Sequence, residues 1–456
     1  MSTSPAFIIT FVVTIAIMLA VAVHSSAKVQ SAGDFSLAGR RASGFNVAGG
    51  ILGTLVGGAS TIGTVQLAYL YGLSAWWFTL GCGIACLFLG TALAPSLRNG
   101  LVETIPQFIS RYHGERARVC ASLFSAFGMF IHIVAQLLAC GALLSTLFNI
   151  SLLWGALIAL GLTLLFTVGG GMSSAGPLGL MKLLLICITM VAGGWMAYSL
   201  SGGVGGMRSA LPDFPWFSIF GYGVNAGLSD FFSLLVGVVS TQTYLQAIFS
   251  ARDVRAARTG ALVSAVLMPP LGLLGIAIGL HMRIAAPGIE SAKALPLFLS
   301  MYFPPALAGI AFASLLITAV GTAAGLAMGV GTTLLVDVVS KLKPAEHHKL
   351  LLMRILTSLA LIGSFAVLLL NLDSAIMKWS FLSMGLRGAT LCIPLLMAIF
   401  LKERTSSRGG AISIFIAPAA VIATGLIDSP LPPLYVGLTI SLAAFGLGYL
   451  LEQRRI

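Results

Sequence analysis

Two stretches of this chain set glycine beside hydroxyl side chains in the middle of apolar runs: LVGGAST at 55–61 and LVGVVST at 235–241. Glycine makes departure from helical geometry cheap. Inside a bilayer, freed backbone is tolerated only where protein shields it or where it lines a cavity. Unwound carbonyls with one or two hydroxyls can hold a small cation, and paired interruptions in corresponding halves point to a site at the bilayer midplane. Close helix packing is the other reading of such glycine-rich runs. Thr61, which ends the first stretch, and Thr64 and Gln66 just after it are placed to meet a solute. His132 and Gln136 share one helix face, as a hydrogen-bonding wall or as an interhelical contact. Asp230 is the one acidic residue well inside an apolar run, and a carboxylate at such depth marks a functional position by default. Its candidate partners are Arg387 and a substrate ammonium. Arg387 is equally suited to binding a substrate carboxylate bidentately, or to gating. Gln242 and Gln246 read as packing residues or as a cytoplasmic part of the same site. No nucleophile–base pair, metal cluster or phosphate loop stands out in the apolar segments, so an enzyme is not expected.

Only long membrane helices can position these residues, and the composition demands the same. Of 456 residues 58% are hydrophobic and 8% charged, with a mean hydropathy of +1.02. A soluble domain carries roughly 25% charged residues, and disordered chains pair low hydrophobicity with high charge; both classes are excluded. The apolar runs are long and unbroken, unlike the short alternating segments of a β-barrel. Segments near 20 apolar residues fall at about 6–23, 46–71, 74–97, 119–147, 151–168, 178–200, 221–250, 259–282, 304–336, 352–370, 374–401, 411–427 and 433–451. An all-α integral membrane protein with thirteen transmembrane helices is expected.

The formal charge of +12 is a topology signal. Alternate connections hold nineteen Lys and Arg, from Lys28 to Arg455, against three in the other set, Arg208, Arg283 and Lys293. The positive-inside rule then puts the N-terminus outside and the C-terminus inside, with anionic lipid as a side contact and no nucleic-acid partner. Met1 to Ala6 carry no Lys or Arg, so the first segment is expected to be retained, not cleaved as a signal peptide. The six cysteines lie in or beside apolar segments and read as small hydrophobes. Trp76 and Trp77 fit an interfacial belt, and His347–His348 lacks the further ligands that a metal needs. The last segment ends five residues before Ile456, so no appended signalling domain is expected. A channel would need a continuous polar pore face, and none is visible.

The runs DFSLAGR (34–40), GTLVGGASTIGTVQLAYLYGLSAWWF (53–78), ETIPQFISRYHGERAR (103–118), TQTYLQAIFSARDVRAARTGALVSA (241–265) and ALPLFLSMYFPPALAGIAFASLLITAVGTAAG (294–325) resemble the sodium:solute symporter family. The resemblance spans about 34–404 in order. It implies the leucine-transporter-type fold: two inverted five-helix repeats, 46–200 and 221–401, preceded by one helix (6–23) and followed by two (411–451), all in one transporter domain. It also implies sodium-coupled symport of a small polar organic solute across the plasma membrane, by homology a bacterial inner membrane, with no cofactor but the coupling ion.

The same resemblance places sodium on the carbonyls of Ala59 and Ile62 and on Thr318, Gly321 and Thr322. Many relatives carry two adjacent hydroxyls where this chain has Gly321–Thr322, so one side-chain ligand is missing. In GGGMSSAGPLGLMK (169–182), Leu178 and Met181 stand where relatives often carry an acid and a glutamine, and an additional sodium site dependent on that acid is not expected. Lys182 belongs to the same segment. In proton-coupled or ion-independent relatives of this fold, a lysine on the equivalent helix occupies the sodium position. Its ammonium brings the same unit charge and three donors. Two readings of Lys182 are open: the built-in cation of a proton-coupled or cation-independent transporter, or a side chain snorkelling to the interface.

Overall fold

The computed structural model describes residues 4–26, 37–342, 345–372, 376–402, 405–426 and 431–453, without the side chains of 168–178 and a few positions beside the gaps. Lys28, Lys343, Arg404, Arg454, Arg455, residues 34–36 and the side chains of Leu178 and His347 therefore lie outside the described residues.

Helices account for the whole architecture among the described residues; an isolated bridge, Ala42 to Ala251, is the one extended pairing. In chain order they are α1 (Pro5–Ser26), α2 (Gly44–Leu55), α3 (Thr64–Tyr71), α4 (Trp76–Phe88) and α5 (Ile105–Phe148). Then comes one helical stretch, Leu152–Leu200, whose two apolar parts are labelled α6 (Leu152–Thr167) and α7 (Gly179–Leu200). Leaving aside the short helices Ala94–Asn99, Gly203–Ala210, Asp213–Trp216 and Ala294–Tyr302, there follow α8 (Val224–Val239), α9 (Gln242–Ser250), α10 (Val254–Ala285), α11 (Pro305–Asp337), α12 (Glu346–Leu369), α13 (Ile376–Phe400), α14 (Ser407–Leu426) and α15 (Pro433–Gln453). Each apolar segment read from the sequence is helical over most of its described residues, and those at 46–71 and 221–250 are interrupted. Ten helical stretches among the described residues are long and apolar enough to cross a membrane, and Pro5–Val21, Gly44–Leu55 and Leu152–Thr167 are shorter apolar helices.

The differences lie at polar helix ends. α10 starts at Val254, five residues before its apolar window, because Asp253 accepts the Ala256 N–H at 2.7 Å and caps the first turn. The connection 98–118 contains the start of α5: Thr104 accepts the Gln107 N–H at 3.1 Å, and Pro106 occupies the first turn. Gly114, at φ 86°, then breaks the direction of this helix before the apolar part begins. Hydropathy registers only the apolar portion of a helix, so capped polar turns escape it.

In lipid, helices gain little from hydrophobic association with one another and depend on close packing and polar contacts. α7 meets α2 where Gly179 leaves the two backbones touching at Gly49. α5 and α11 form one of the closest pairs, and their ends are joined by charge. Arg118 Nε donates to Asp337 Oδ1 at 2.7 Å, Arg118 Nη2 to the Val336 carbonyl at 3.0 Å, and Thr104 Oγ1 to Asp337 Oδ1 at 3.0 Å. The Asp337 side chain is wholly buried. Arg98 holds the Ala251 carbonyl at 2.5 Å and that of Arg252 at 3.2 Å at the same end. Arg252 itself pairs with the adjacent Asp253 at 3.3 Å on the surface.

Removing one member of a buried pair leaves an uncompensated charge, which costs about 3 kcal/mol or more. Asp337→Ala is therefore expected to lower the thermal midpoint of the detergent-purified protein clearly. The double variant Arg118→Met/Asp337→Leu should recover most of that loss; a single variant that melts like the wild type would show that the pair does not hold α5 to α11.

Candidate functional site

Both glycine–hydroxyl stretches are helix breaks. α2 ends at Leu55, and Val56 leaves the helix at φ −82°, ψ 98°. A π-helical turn, Ala59–Gly63, carries the chain into α3. Such turns gather at functional positions because they free backbone groups. The second break comes at Ser240–Thr241, where Thr241 takes φ −96°, ψ 119° between α8 and α9.

At the first break the freed groups are met by side chains from two other helices. Gln136 of α5 accepts the Gly58 N–H at 2.8 Å. Thr322 of α11 donates to the Val56 carbonyl at 3.2 Å and lies 3.4 Å from that of Gly53. Ser60 and Thr61 bond back to Gly57, the former accepting its N–H at 2.8 Å and the latter donating to its carbonyl at 2.8 Å. Thr64 Oγ1 lies 3.5 Å from the Ala59 carbonyl. A side chain at Gly57 would put its Cβ 2.7 Å from both Gln136 Oε1 and Thr322 Oγ1, so only glycine fits there.

Lys182 completes this cluster. It is 3% exposed, and its Nζ donates to the Thr318 carbonyl at 3.3 Å and to Thr322 Oγ1 at 3.5 Å. Its ammonium turns into the bundle toward α11. A Cβ at Gly321 would lie 3.1 Å from Nζ, so the missing side chain at 321 is the room that the ammonium uses. The structure thus brings Lys182, Thr318, Gly321 and Thr322 together beside the first break, with Ala59 and Ile62 buried in the π-turn that follows it. The Thr318 hydroxyl is buried and finds no partner among the described residues.

The second break faces Arg387 of α13. This side chain is fully buried. Nε donates to the Ser383 carbonyl at 3.2 Å; Nη2 donates to Ser383 Oγ at 2.9 Å and to His132 Nδ1 at 3.2 Å. Met384 links this group to the break, its sulfur 3.3 Å from Arg387 Nη2 and 3.9 Å from Thr241 Oγ1. His132 and Gln136 thus serve different breaks from one face of α5. The expected pairing of Asp230 with Arg387 is not present: Asp230 is half-buried in α8 and accepts Tyr222 Oη at 3.0 Å. Sequence spacing could not reveal this, because the phenol that neutralises the need for a cation sits eight residues away in a connection.

Gln66 stands apart from Thr61 and Thr64. It lines a cavity of about 1250 Å³ with Leu138, Ser291 and Ile376, at the end of the bundle opposite Arg98 and Arg118, and it reaches Ser291 Oγ at 3.4 Å. Gln242 is a fastener, accepting the Ile105 N–H at 2.9 Å and donating to the Glu103 carbonyl at 2.8 Å. Gln246 Nε2 reaches Thr332 Oγ1 at 3.4 Å. Trp76 and Trp77 donate to the carbonyls of Pro269 and Ile219. The groups missed from sequence are Tyr222, Tyr244 and Ser383; each is an ordinary residue type in an apolar helix or a loop, with no local pattern to single it out.

The sequence profile of the sodium:solute symporter family matches residues 35–417. This chain belongs to the sodium:solute symporter family. The family is one of membrane symporters, and ten helical stretches among the described residues are long and apolar enough to cross a membrane. One curated relative, an uncharacterised symporter named YwcA from Bacillus subtilis (strain 168), is 23% identical over 267 residues; the match covers 55% of this chain and spans about half (50%) of that protein's length. Among solved structures, a Na+-coupled sialic acid symporter in a substrate-bound outward-open state aligns with a TM-score of 0.84 at 18% identity, over 99% of this symporter and 98% of that chain. Mhp1, a nucleobase-cation-symport-1 family transporter, aligns at 0.64 with 12% identity over 91% and 93%. A manganese transporter of Eremococcus coleocola aligns at 0.52 with 15% identity over 90% and 95%. At these identities the likeness is one of fold.

A buried N–H left without its acceptor costs about 1–3 kcal/mol. Gln136→Met keeps the length of the side chain and removes the acceptor for Gly58. It is expected to lower the symporter's thermal midpoint, whereas Gln66→Met, at the cavity wall, should leave it within a degree or two; equal behaviour of the two would deny Gln136 its role at the break.

Proposed function

We propose that this symporter moves a small polar organic solute by alternating access around the two helix breaks, and that the Lys182 ammonium holds the cation position beside the first. The topology belonging to this reading has thirteen passes, the N-terminus outside and the C-terminus inside. Two inverted repeats, 46–200 and 221–401, form its core. The likeness to the sialic acid symporter over nearly the whole chain supports that arrangement. So does the gathering of Arg98, Arg118 and Arg252 at one end and the cavity at the other.

The observation that carries the cation reading is the set of groups Lys182 engages. The Thr318 carbonyl and the Thr322 hydroxyl are two of the groups assigned to sodium, and the absent side chain of Gly321 is a third position taken up by Nζ. An ammonium satisfies neutral oxygens with the same charge as sodium, and in a water-poor site it can give up its proton instead of leaving. Proton-coupled or cation-independent transport follows from it. Sodium symport is the second reading. Family membership favours it, and the unpartnered Thr318 hydroxyl is an oxygen that sodium would take once Lys182 withdraws.

Sodium itself serves as the probe. The thermal midpoint of purified wild type, Lys182→Ala and Lys182→Ala/Gly321→Ser would be compared in sodium and potassium chloride at matched ionic strength. The wild type should melt alike in both salts. The double variant, which removes the ammonium and restores a hydroxyl, should gain sodium-dependent stability, about 2.7 kcal/mol at a hundredfold excess over its dissociation constant. A wild type stabilised by sodium and not by potassium would make Lys182 a structural residue and sodium the coupling ion.

A further inference from the structure

Lys182 and Arg387 are both deeply buried, and among the described residues no carboxylate lies within ion-pair distance of either. Lys182 has an account in the preceding proposal, as a cation among oxygens. Arg387 has none. Its described partners are neutral: a carbonyl, a hydroxyl, a thioether and an imidazole nitrogen. A buried guanidinium without a counter-charge is costly, and intramembrane charges pair or mark the path of what is carried.

The remaining valences at this point are unspent donors. Arg387 Nη1 has no partner among the described residues, and neither do the buried hydroxyls of Tyr244 and Ser380. Tyr244 is in the first turn of α9, directly after the second break. Ser380 and Arg387 are seven residues apart on one face of α13. The guanidinium also points the right way. Its Cγ lies beside Gly128 and its Nη2 beside His132, and α5 runs from there toward Leu138 at the cavity. On α13 the cavity wall begins at Ile376, about 16 Å from Arg387 along the axis, with Ser380 between them.

We propose that the solute is an organic carboxylate, and that Arg387 Nη1 receives its carboxylate group at the second break with the hydroxyls of Tyr244 and Ser380. This assignment names the substrate class of the transporter described above and rests on that reading. It gives the two breaks separate tasks, a built-in cation at the first and an anion from the cargo at the second.

The test uses full-length protein in detergent with defined probes: potassium acetate, lactate and succinate against acetamide, lactamide and succinamide, with potassium chloride as the ionic control. Thermal stabilisation is titrated for wild type, Arg387→Gln and Arg387→Lys. At least one acid should stabilise the wild type and bind at least about tenfold more tightly than its amide, a difference of about 1.4 kcal/mol. Arg387→Gln should abolish the preference, and Arg387→Lys should restore part of it as a point charge without the fork. Equal effects of acids and amides, stabilisation by no acid, or a preference retained in Arg387→Gln would each overturn the assignment. Stabilisation by chloride equal to that by the acids would leave Arg387 an inorganic-anion site and overturn the solute class. The acid–amide comparison in wild type stands even where a variant fails to fold. The sodium comparison at Lys182 is read independently of it, and uptake of the amides alone into proteoliposomes would leave the transporter reading intact while removing the carboxylate.

Discussion

Everything at the centre of this symporter follows from one constraint: where a helix breaks in a medium without water, each freed backbone group must find a partner from elsewhere in the chain. The first break frees the Gly58 N–H and the Val56 carbonyl, and no residue of α2 or α3 meets either. Gln136 of α5 takes the one and Thr322 of α11 takes the other. Thr322 has a lone pair left, and Lys182 of α7 donates to it. Three helices are thereby gathered at three residues of irregular backbone. A change at any of these positions is felt by the others, because the groups have no solvent to fall back on.

The two breaks are chemically unlike although their sequences echo each other. The first is lined by oxygens and filled by an ammonium. The second is flanked by a guanidinium, a thioether and a phenol, and its own hydroxyl turns back onto the chain, Thr241 donating to the Gly237 carbonyl at 2.5 Å. α5 passes both and supplies one polar side chain to each. A movement of α5 relative to α8 and α9 would therefore change both at once, which is a physical route for coupling the occupancy of one break to that of the other.

The ends of the bundle are unequal as well. At the basic end, Arg98, Gln242 and the Arg118–Asp337 pair tie connections to helix ends, and the Ala42 and Ala251 backbones pair directly. At the opposite end a cavity of about 1250 Å³ descends between α1, α3, α5 and α13. The fastenings at the basic end are few and polar, so they can be exchanged without dismantling the apolar packing.

Composition by itself determined that the chain lives in a membrane, because 58% hydrophobic residues cannot be covered by 8% charged ones in water. The helical segments were legible for the same reason: lipid demands long apolar runs, and such runs are visible one residue at a time. So were the breaks, since glycine and hydroxyl residues at mid-membrane have local meaning. Capped polar turns such as Asp253–Ala256 and Thr104–Gln107 were hidden from hydropathy, which does not register hydrogen bonds. Partners were hidden more deeply. That Lys182 occupies the space vacated at Gly321, that Gln136 faces the backbone and not the cavity, and that Arg387 meets His132 are facts about which helix lies against which. Side-chain pairing across helices depends on distances of a few ångströms between residues far apart in the chain, 78 positions for Gly58 and Gln136 and 255 for His132 and Arg387, and only tertiary packing sets those distances.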